Sequence, residues 1–333
     1  MSHLEIIVPF GIPPAALAKE LVKQMKTPSL ASLLGYARGK NIHEHDEFAR
    51  QLPHEAWLTR AFKTPTNIAN SSPLTHQRMQ AFGLQPAHGF WFTLSPIHIH
   101  IARDHMVMTD QRRLEIDDKE SRALFDAAQE ICEELGKPLL YGDAKTWFLH
   151  ADEWHAMHTA SLDAAAGHNM EIWIAKGEHE VAWRKLQNEI QMLWHIHPVN
   201  QAREEQGRTT INSVWLHSGS AEMHATIHQT NTPHFNVIKD QTDSTSILVE
   251  DLLEPALNSD WGNWLARMNQ LEKNWFEPAL GALQNKQIKT LHLVLSDGQR
   301  LCQISCRAPQ AWKFWRQPSL QTLLALANSP AKI

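Results

Sequence analysis

The sequence is poor in cysteine. Its three cysteines, Cys132, Cys302 and Cys306, show no C-x-x-C spacing. That excludes a disulfide framework and points to reduced thiols of the cytosol. Long apolar runs are missing too, and no stretch approaches the roughly 20 residues of a membrane helix. The opening Met1-Ser2-His3-Leu4-Glu5-Ile6-Ile7-Val8-Pro9 has no basic n-region, and its apolar run is too short for a secretory signal. No basic stripe stands out, because 31 basic and 36 acidic residues are interspersed to give a net charge of −5. A nucleic-acid partner and an anionic-lipid partner are therefore not expected. Neither internal repeats nor low-complexity linkers occur. These absences predict a soluble, cytoplasmic protein.

What is present suits a globular chain. At 333 residues, 43% apolar and 20% charged, it can bury a large core and is long enough for two lobes, or one core with an insertion. Thirteen Trp add large, semi-polar core area, and 21 His raise the question of metal binding.

Leu4 to Val8 reads as a buried strand, closed by Pro9, Gly11, Pro13 and Pro14. Leu17, Leu21, Val22 and Met25 follow at helical spacing, and Thr27-Pro28-Ser29-Leu30 opens a second helix ending at Gly35 or Gly39. From 67 to 85 the composition is polar and loop-like. Phe90 to Ile101 alternates as a strand interrupted by Pro96, and Met106 to Met108 is another. Asp117-Asp118-Lys119-Glu120 starts a capped helix whose apolar stripe is Leu124, Ala128, Ile131 and Leu135. Pro138 to Tyr141 and Thr146 to Leu149 complete a ββαββ unit. Glu178 to Trp194 is the clearest helix, and Pro198 ends it or begins a short one closed by Gly207. A strand from Ile211 to Leu216 stops at Ser218-Gly219. Trp264 to Phe276 is helical, with Ser259 or Asp260 as its cap. Leu291 to Leu295 and Leu301 to Ile304 flank the hairpin signal Ser296-Asp297-Gly298-Gln299. Pro309 and Pro318 open two last helices.

Three segments, in order, carry a resemblance. The first is the N-terminal strand with Thr27-Pro28-Ser29-Leu30-Ala31-Ser32-Leu33-Leu34-Gly35. The second is Asp110-Gln111-Arg112-Arg113-Leu114-Glu115-Ile116. The third is His197-Pro198-Val199-Asn200-Gln201-Ala202-Arg203, then Gly207, then Ile211-Asn212-Ser213-Val214-Trp215-Leu216 and Gly219. Together they resemble the cofactor-independent phosphoglycerate mutases of the alkaline-phosphatase superfamily, of the archaeal type, and in particular the bacterial RpfE-type regulatory proteins. The resemblance implies an α/β fold: an alkaline-phosphatase-like core sheet with helices on both faces, formed by 1–85 and 180–333, and an inserted α+β (ββαββ) domain at 86–179.

The same resemblance implies two divalent metals such as Mn or Mg, held by Asp and His, and a Ser that carries phosphate. Two ions serve such chemistry because the entering and leaving oxygens both develop charge. This sequence departs from that pattern. Pro9 and Phe10 stand where the first Asp would ligate. The nearest match to the nucleophile segment, Leu52-Pro53-His54-Glu55-Ala56-Trp57-Leu58, has no Ser. The single Asp-His pair is Asp104-His105, and the C-terminal hairpin offers Asp297 alone. The expectation is a degenerate, non-catalytic or regulatory relative with no metal or other cofactor. The alternatives are an active mutase or metal-dependent phosphatase, and a protein-interaction module.

The candidate ligand-binding residues are His197, Asn200, Arg203 and Asn212, joined by Arg112 and Arg113 of the inserted domain, which either face the same cleft or are turn charges. An Arg with two amides can hold a small phosphorylated or carboxylated metabolite. The competing reading is a structural network joining a helix end to a strand. His98-Ile99-His100 puts two imidazoles on one strand face, a spacing that chelates zinc, against the plainer reading of an exposed polar face without third and fourth ligands. His195-Ile196-His197 sits at a helix end where a positive imidazole favours the dipole. His43-Glu44-His45-Asp46 reads as a solvated loop. Trp312-Lys313-Phe314-Trp315-Arg316 is either a partner surface or the closure of a core.

Overall fold

The structure is a computed structural model that describes residues 3–61, 70–85, 88–221, 228–232, 235–239, 244–307 and 317–329. The chain divides into two compact units, Met1–Glu47 with Thr226–Ile333, and Phe48–Ala225. The second unit is thus an excursion from the first.

The first unit opens with β1 (His3–Val8), whose β-branched run ends at Pro9. Helix α1 (Ala18–Gln24) begins a turn later than Pro13-Pro14 suggest, because Leu17 N–H bonds the Pro14 carbonyl and the prolines form a separate turn. Helix α2 (Pro28–Gly35) has its expected proline in the first turn. A correction follows: the segment read as a solvated loop contains β2 (Gly39–Glu44), an edge strand with His43 opposite Leu301. Its residues are nearly all exposed, so no apolar alternation marked it.

The second unit begins with α3 (Pro53–Ala61) and α4 (Thr75–Ala81). Helix α4 corrects the loop expected at 67–85. Its buried face is Thr75, His76, Gln77 and Met79, so burial there followed no apolar period. Next come β3 (Phe90–Ile97), β4 (Ile99–Ala102) and β5 (His105–Met108). Pro96 stays within β3, opposite Val214, and the break falls at His98 instead. Helix α5 (Asp118–Glu134) has a complete capping box. Glu120 N–H donates to Asp117 Oδ1 at 2.7 Å and Asp117 N–H to Glu120 Oε2 at 3.3 Å. Strands β6 (Leu139–Asp143) and β7 (Thr146–His150) precede the short helices α6 (Leu162–Ala165) and α7 (Met170–Trp173). Helix α8 (Glu180–His195) buries Trp183, Leu186, Ile190 and Trp194. After α9 (Pro198–Glu205) and Gly207, whose φ of 68° suits a glycine, β8 (Ser213–Ala221) closes the unit.

The four-stranded sheet of this unit has the order β6-β7-β3-β8, antiparallel throughout, while β4 and β5 form a separate hairpin. The lobe therefore does not stop at 179. Strand β8 covers the second edge of β3 and α8 packs beside it, so the unit runs from 48 to 225. Nor does the strand end at Ser218-Gly219. It continues through a bulge, with Ser218 at φ 58° and a register shift opposite Trp91 and Thr93. At Gly219 a Cβ would lie 2.5 Å from the Phe92 ring, which excludes any larger residue without a shift.

The chain returns to the first unit with β9 (His228–Thr232), β10 (Phe235–Lys239), β11 (Ser244–Leu248), α10 (Leu253–Leu257) and α11 (Trp261–Leu271). Asp260 caps α11 by accepting Asn263 N–H at 3.0 Å. A π turn, Glu272–Phe276, leads directly into α12 (Glu277–Gln284). Glu272 in that turn accepts the N–H groups of Ser29 (2.6 Å) and Leu30 (3.3 Å), closing the start of α2. Strands β12 (Thr290–Ser296) and β13 (Arg300–Cys306) form the expected hairpin, and α13 (Gln321–Ala327) follows. Among the described residues the sheet order is β2-β13-β12-β1-β11-β10-β9, with β1 parallel to both neighbours and the other pairs antiparallel. Ile6, Ile7 and Val8 are 1%, 1% and 0% exposed, so both faces of the central strand are covered. This is an α/β fold with a mixed sheet and helices on both faces. The helix expected from Pro309 and the Trp-rich run at 312–316 lie outside the described residues.

Candidate functional site

Of the residues expected to share an oxyanion, Asn200 and Asn212 line one cavity together with Gln191 and Thr210, and His197, Asn200, Arg203 and Asn212 each have bonds within the chain. Asn200 on α9 donates to the Trp194 and Ile211 carbonyls at 2.8 Å each and accepts Ile211 N–H at 2.8 Å. Asn212 clamps Ile99, accepting its N–H and donating to its carbonyl, both at 2.8 Å. His197 caps α9, its Nδ1 accepting Val199 N–H at 3.2 Å. Arg203, with a side chain only 1% exposed, donates through Nε to the Thr209 carbonyl at 2.7 Å, through Nη1 to Glu120 Oε2 at 2.6 Å, and through Nη2 to the Leu114 carbonyl. Arg208 holds the other oxygen of Glu120 at 2.7 Å. This geometry is that of a network pinning α9 to α5 and to the turn before it. Arg113 is exposed on the opposite side of its turn from the buried Gln111 and Leu114.

A two-metal centre does not fit the end of β1 either. The Phe10 carbonyl accepts Trp264 Nε1–H at 2.9 Å, and the ring packs on the core of its unit. Asp297 is committed to its hairpin, accepting from the backbone of Gln299 and Arg300 and pairing with the Arg300 guanidinium at 2.7 Å. Among the described residues no three His, Cys, Asp or Glu side chains converge as metal ligands.

Arg112 leads to a different cluster, within the second unit. Asp110 caps the 3-10 turn Gln111–Leu114, and Arg112 folds back to pair with it at 3.0 Å. The guanidinium also grips Asp163 with two bonds of 2.8 Å. Asp163 lies in the first turn of α6, just after the cap residue Ser161. Ser161 Oγ in turn donates to Glu55 Oε2 at 2.6 Å. Glu55 is the third residue of α3 and reaches back to accept Leu52 N–H at 2.6 Å, which is the sequence logic of an N-terminal cap. Two helix starts thus bring two carboxyl groups together.

Their environments drive them apart. Burial, then the charge of Asp163, pushes the Glu55 carboxyl up to about 7, against the Ser161 and Leu52 bonds and the charge of Arg78. Burial also works against the charge of Asp163, but Arg112 outweighs it and holds that carboxyl below its ordinary value. Arg112 is held charged by Asp163 and Asp110 in spite of its own burial. His54 and Arg78 add positive field at Asp163. His217 is pushed well below its usual value by burial and by Arg78, so it is neutral; it lies between Ser95 Oγ (3.2 Å) and Ser218 Oγ (2.9 Å). Around them runs a buried hydroxyl network, in which Ser72 donates to Gln51 at 2.6 Å, Ser71 pairs with Thr159 at 2.7 Å, and Thr75 donates to the Ser218 carbonyl at 2.6 Å. Asp163 retains 13% exposure and Arg112 30%, so water reaches the cluster. A carboxyl near neutrality beside a fixed carboxylate is an arrangement able to exchange a proton at physiological pH.

No protein-family model matches the chain. No curated protein matches it in sequence. The fold is shared with a solved structure. The PH0037 protein from Pyrococcus horikoshii has a TM-score of 0.52 at 9% identity, over 97% of this chain and 92% of that one. The cofactor-independent phosphoglycerate mutase from Thermoplasma acidophilum DSM 1728 aligns over 100% of this chain and 96% of its own, at TM-score 0.43 and 10% identity.

Of the six residues expected at a ligand site, Arg112 alone joins the carboxyl cluster. Glu55, Asp163, His54, Arg78 and His217 were not anticipated. The Pro53 and Glu55 spacing of a helix start was legible at Leu52-Pro53-His54-Glu55. Nothing in the sequence linked it to Ser161 and Asp163, more than 100 positions away.

Proposed function

We propose that this chain is a non-catalytic relative of the cofactor-independent phosphoglycerate mutases, acting as a regulatory or metabolite-binding protein of the kind its RpfE-like motifs imply. The observation that carries the reading is the end of β1. There, the position that should hold a metal-binding Asp holds Phe10, locked to Trp264 and the core. A second metal group is not supplied elsewhere among the described residues. A small phosphorylated or carboxylated metabolite would bind in the second unit, at Arg78 beside the Glu55 carboxyl, whose ionisation burial disfavours, because the guanidinium groups of Arg203 and Arg112 are both spent on partners within the chain. The test is turnover of 3-phosphoglycerate to 2-phosphoglycerate with Mn2+ present, alongside thermal stability with and without 3-phosphoglycerate. The expected result is no turnover and a rise in Tm. Turnover abolished by EDTA would overturn the reading.

A second reading is favoured by one feature, the separated acidities of Glu55 and Asp163. In it, the second unit is a metal-independent acid–base catalyst, with Glu55 giving and taking the proton. Turnover of a candidate substrate that survives EDTA and is lost in Glu55→Gln would select this reading over the first.

A further inference from the structure

The paired histidines of β4 hold a chemistry that neither reading uses. His98 and His100 stand on the same face of the strand, with ring centroids 5.8 Å apart and planes within 18° of parallel. His98 Nδ1 lies 2.9 Å from the Thr210 carbonyl oxygen. A carbonyl only accepts, so Nδ1 carries the proton and the Nε2 lone pair is left outward. His100 Nδ1 meets Thr109 Oγ1 at 3.3 Å, a hydroxyl that orients the ring and can either donate or accept. An imidazole oriented through its far nitrogen by a fixed oxygen is the usual state of a metal-binding histidine. The backbone between the two is held as well, since Asn212 clamps both polar groups of Ile99, and Thr109 N–H bonds the His98 carbonyl at 2.9 Å.

We propose that His98 and His100 form a chelating site for one divalent d-block cation, each ligating through Nε2, with the remaining positions open to water or an outside donor. Nitrogens bound at about 2.1 Å to one ion are at most about 4.2 Å apart. Both rings must therefore turn about their χ angles to bring the two Nε2 atoms within that span. His98 is part-buried, while His100 is exposed and gives the ion access. Imidazole pairs favour Cu2+, Ni2+ and Zn2+ over Mg2+ or Ca2+.

The experiment is calorimetric titration of the EDTA-stripped full chain with Ni2+. Wild type should take up one ion at this site. His100→Gln and His98→Asn should each weaken uptake roughly tenfold or more. The Asn amide N–H can keep the bond to Thr210, and His100 is exposed, so both variants should fold by circular dichroism. Because the chain has 21 His, His195→Gln serves as a control that should bind like wild type. Wild-type affinity in His100→Gln, or no wild-type binding above that of the double variant, would overturn the site.

Discussion

Removing the Arg203 guanidinium separates scaffold from ligand site. In Arg203→Ala, Glu120 is not stranded, because Arg208 still holds it at 2.7 Å. The charge part of the loss is therefore smaller than the roughly 3–5 kcal/mol of a wholly broken buried ion pair. The carbonyls of Thr209 and Leu114 do lose their donor. At about 1–3 kcal/mol for each of these two unsatisfied groups, the variant should be about 2–6 kcal/mol less stable. That is a large part of the roughly 5–15 kcal/mol that a folded domain has. Arg203→Lys should fall between, since an ammonium reaches Glu120 but cannot satisfy both carbonyls. The assay is urea denaturation followed by tryptophan fluorescence, repeated with sulfate and with 3-phosphoglycerate. Neither anion should act through Arg203. A variant within about 1 kcal/mol of wild type, in a protein whose anion-dependent protection disappears with Arg203, would refute the scaffold argument and restore the oxyanion site.

Glu55→Gln should stabilise the protein at pH 8 and change little at pH 4. The folded pKa, about 7, lies above the ordinary 4.5, so the folded state holds the extra proton between those values and wild-type stability falls as pH rises through them. A Gln oxygen can keep the Leu52 and Ser161 bonds, and the gain above pH 7 should approach about 3 kcal/mol; identical wild-type and variant pH profiles would contradict the assigned acidity. The thiols should be silent in the native state, because burial pushes Cys132 and Cys306 up to about 12 and Cys302 to about 11. An aromatic disulfide reagent should titrate three thiols in denaturant and none in native buffer, and a fast native thiol would sink that expectation.

The sequence determined the elements whose signals are local. Asp117 with Glu120, Pro28 in a first turn, the β-branched run of β1 and the Asp297 hairpin each specify a backbone shape within a few residues, and each formed as read. It also determined that position 10 carries no metal ligand, because a phenyl ring cannot ligate wherever it is placed. Elements whose burial or pairing partners are distant escaped it. Strand β2 is exposed and exists because β13 offers it an edge; α4 buries Thr75 and His76 against the hydroxyls of Thr93 and Ser220. Whether Arg203 binds a ligand or a carbonyl depends on where Leu114 and Thr209 lie, and that is set by packing rather than by the residue type. The acidity of Glu55 was equally invisible, since it arises from burial and from Asp163, a charge that only the tertiary structure brings across from α6.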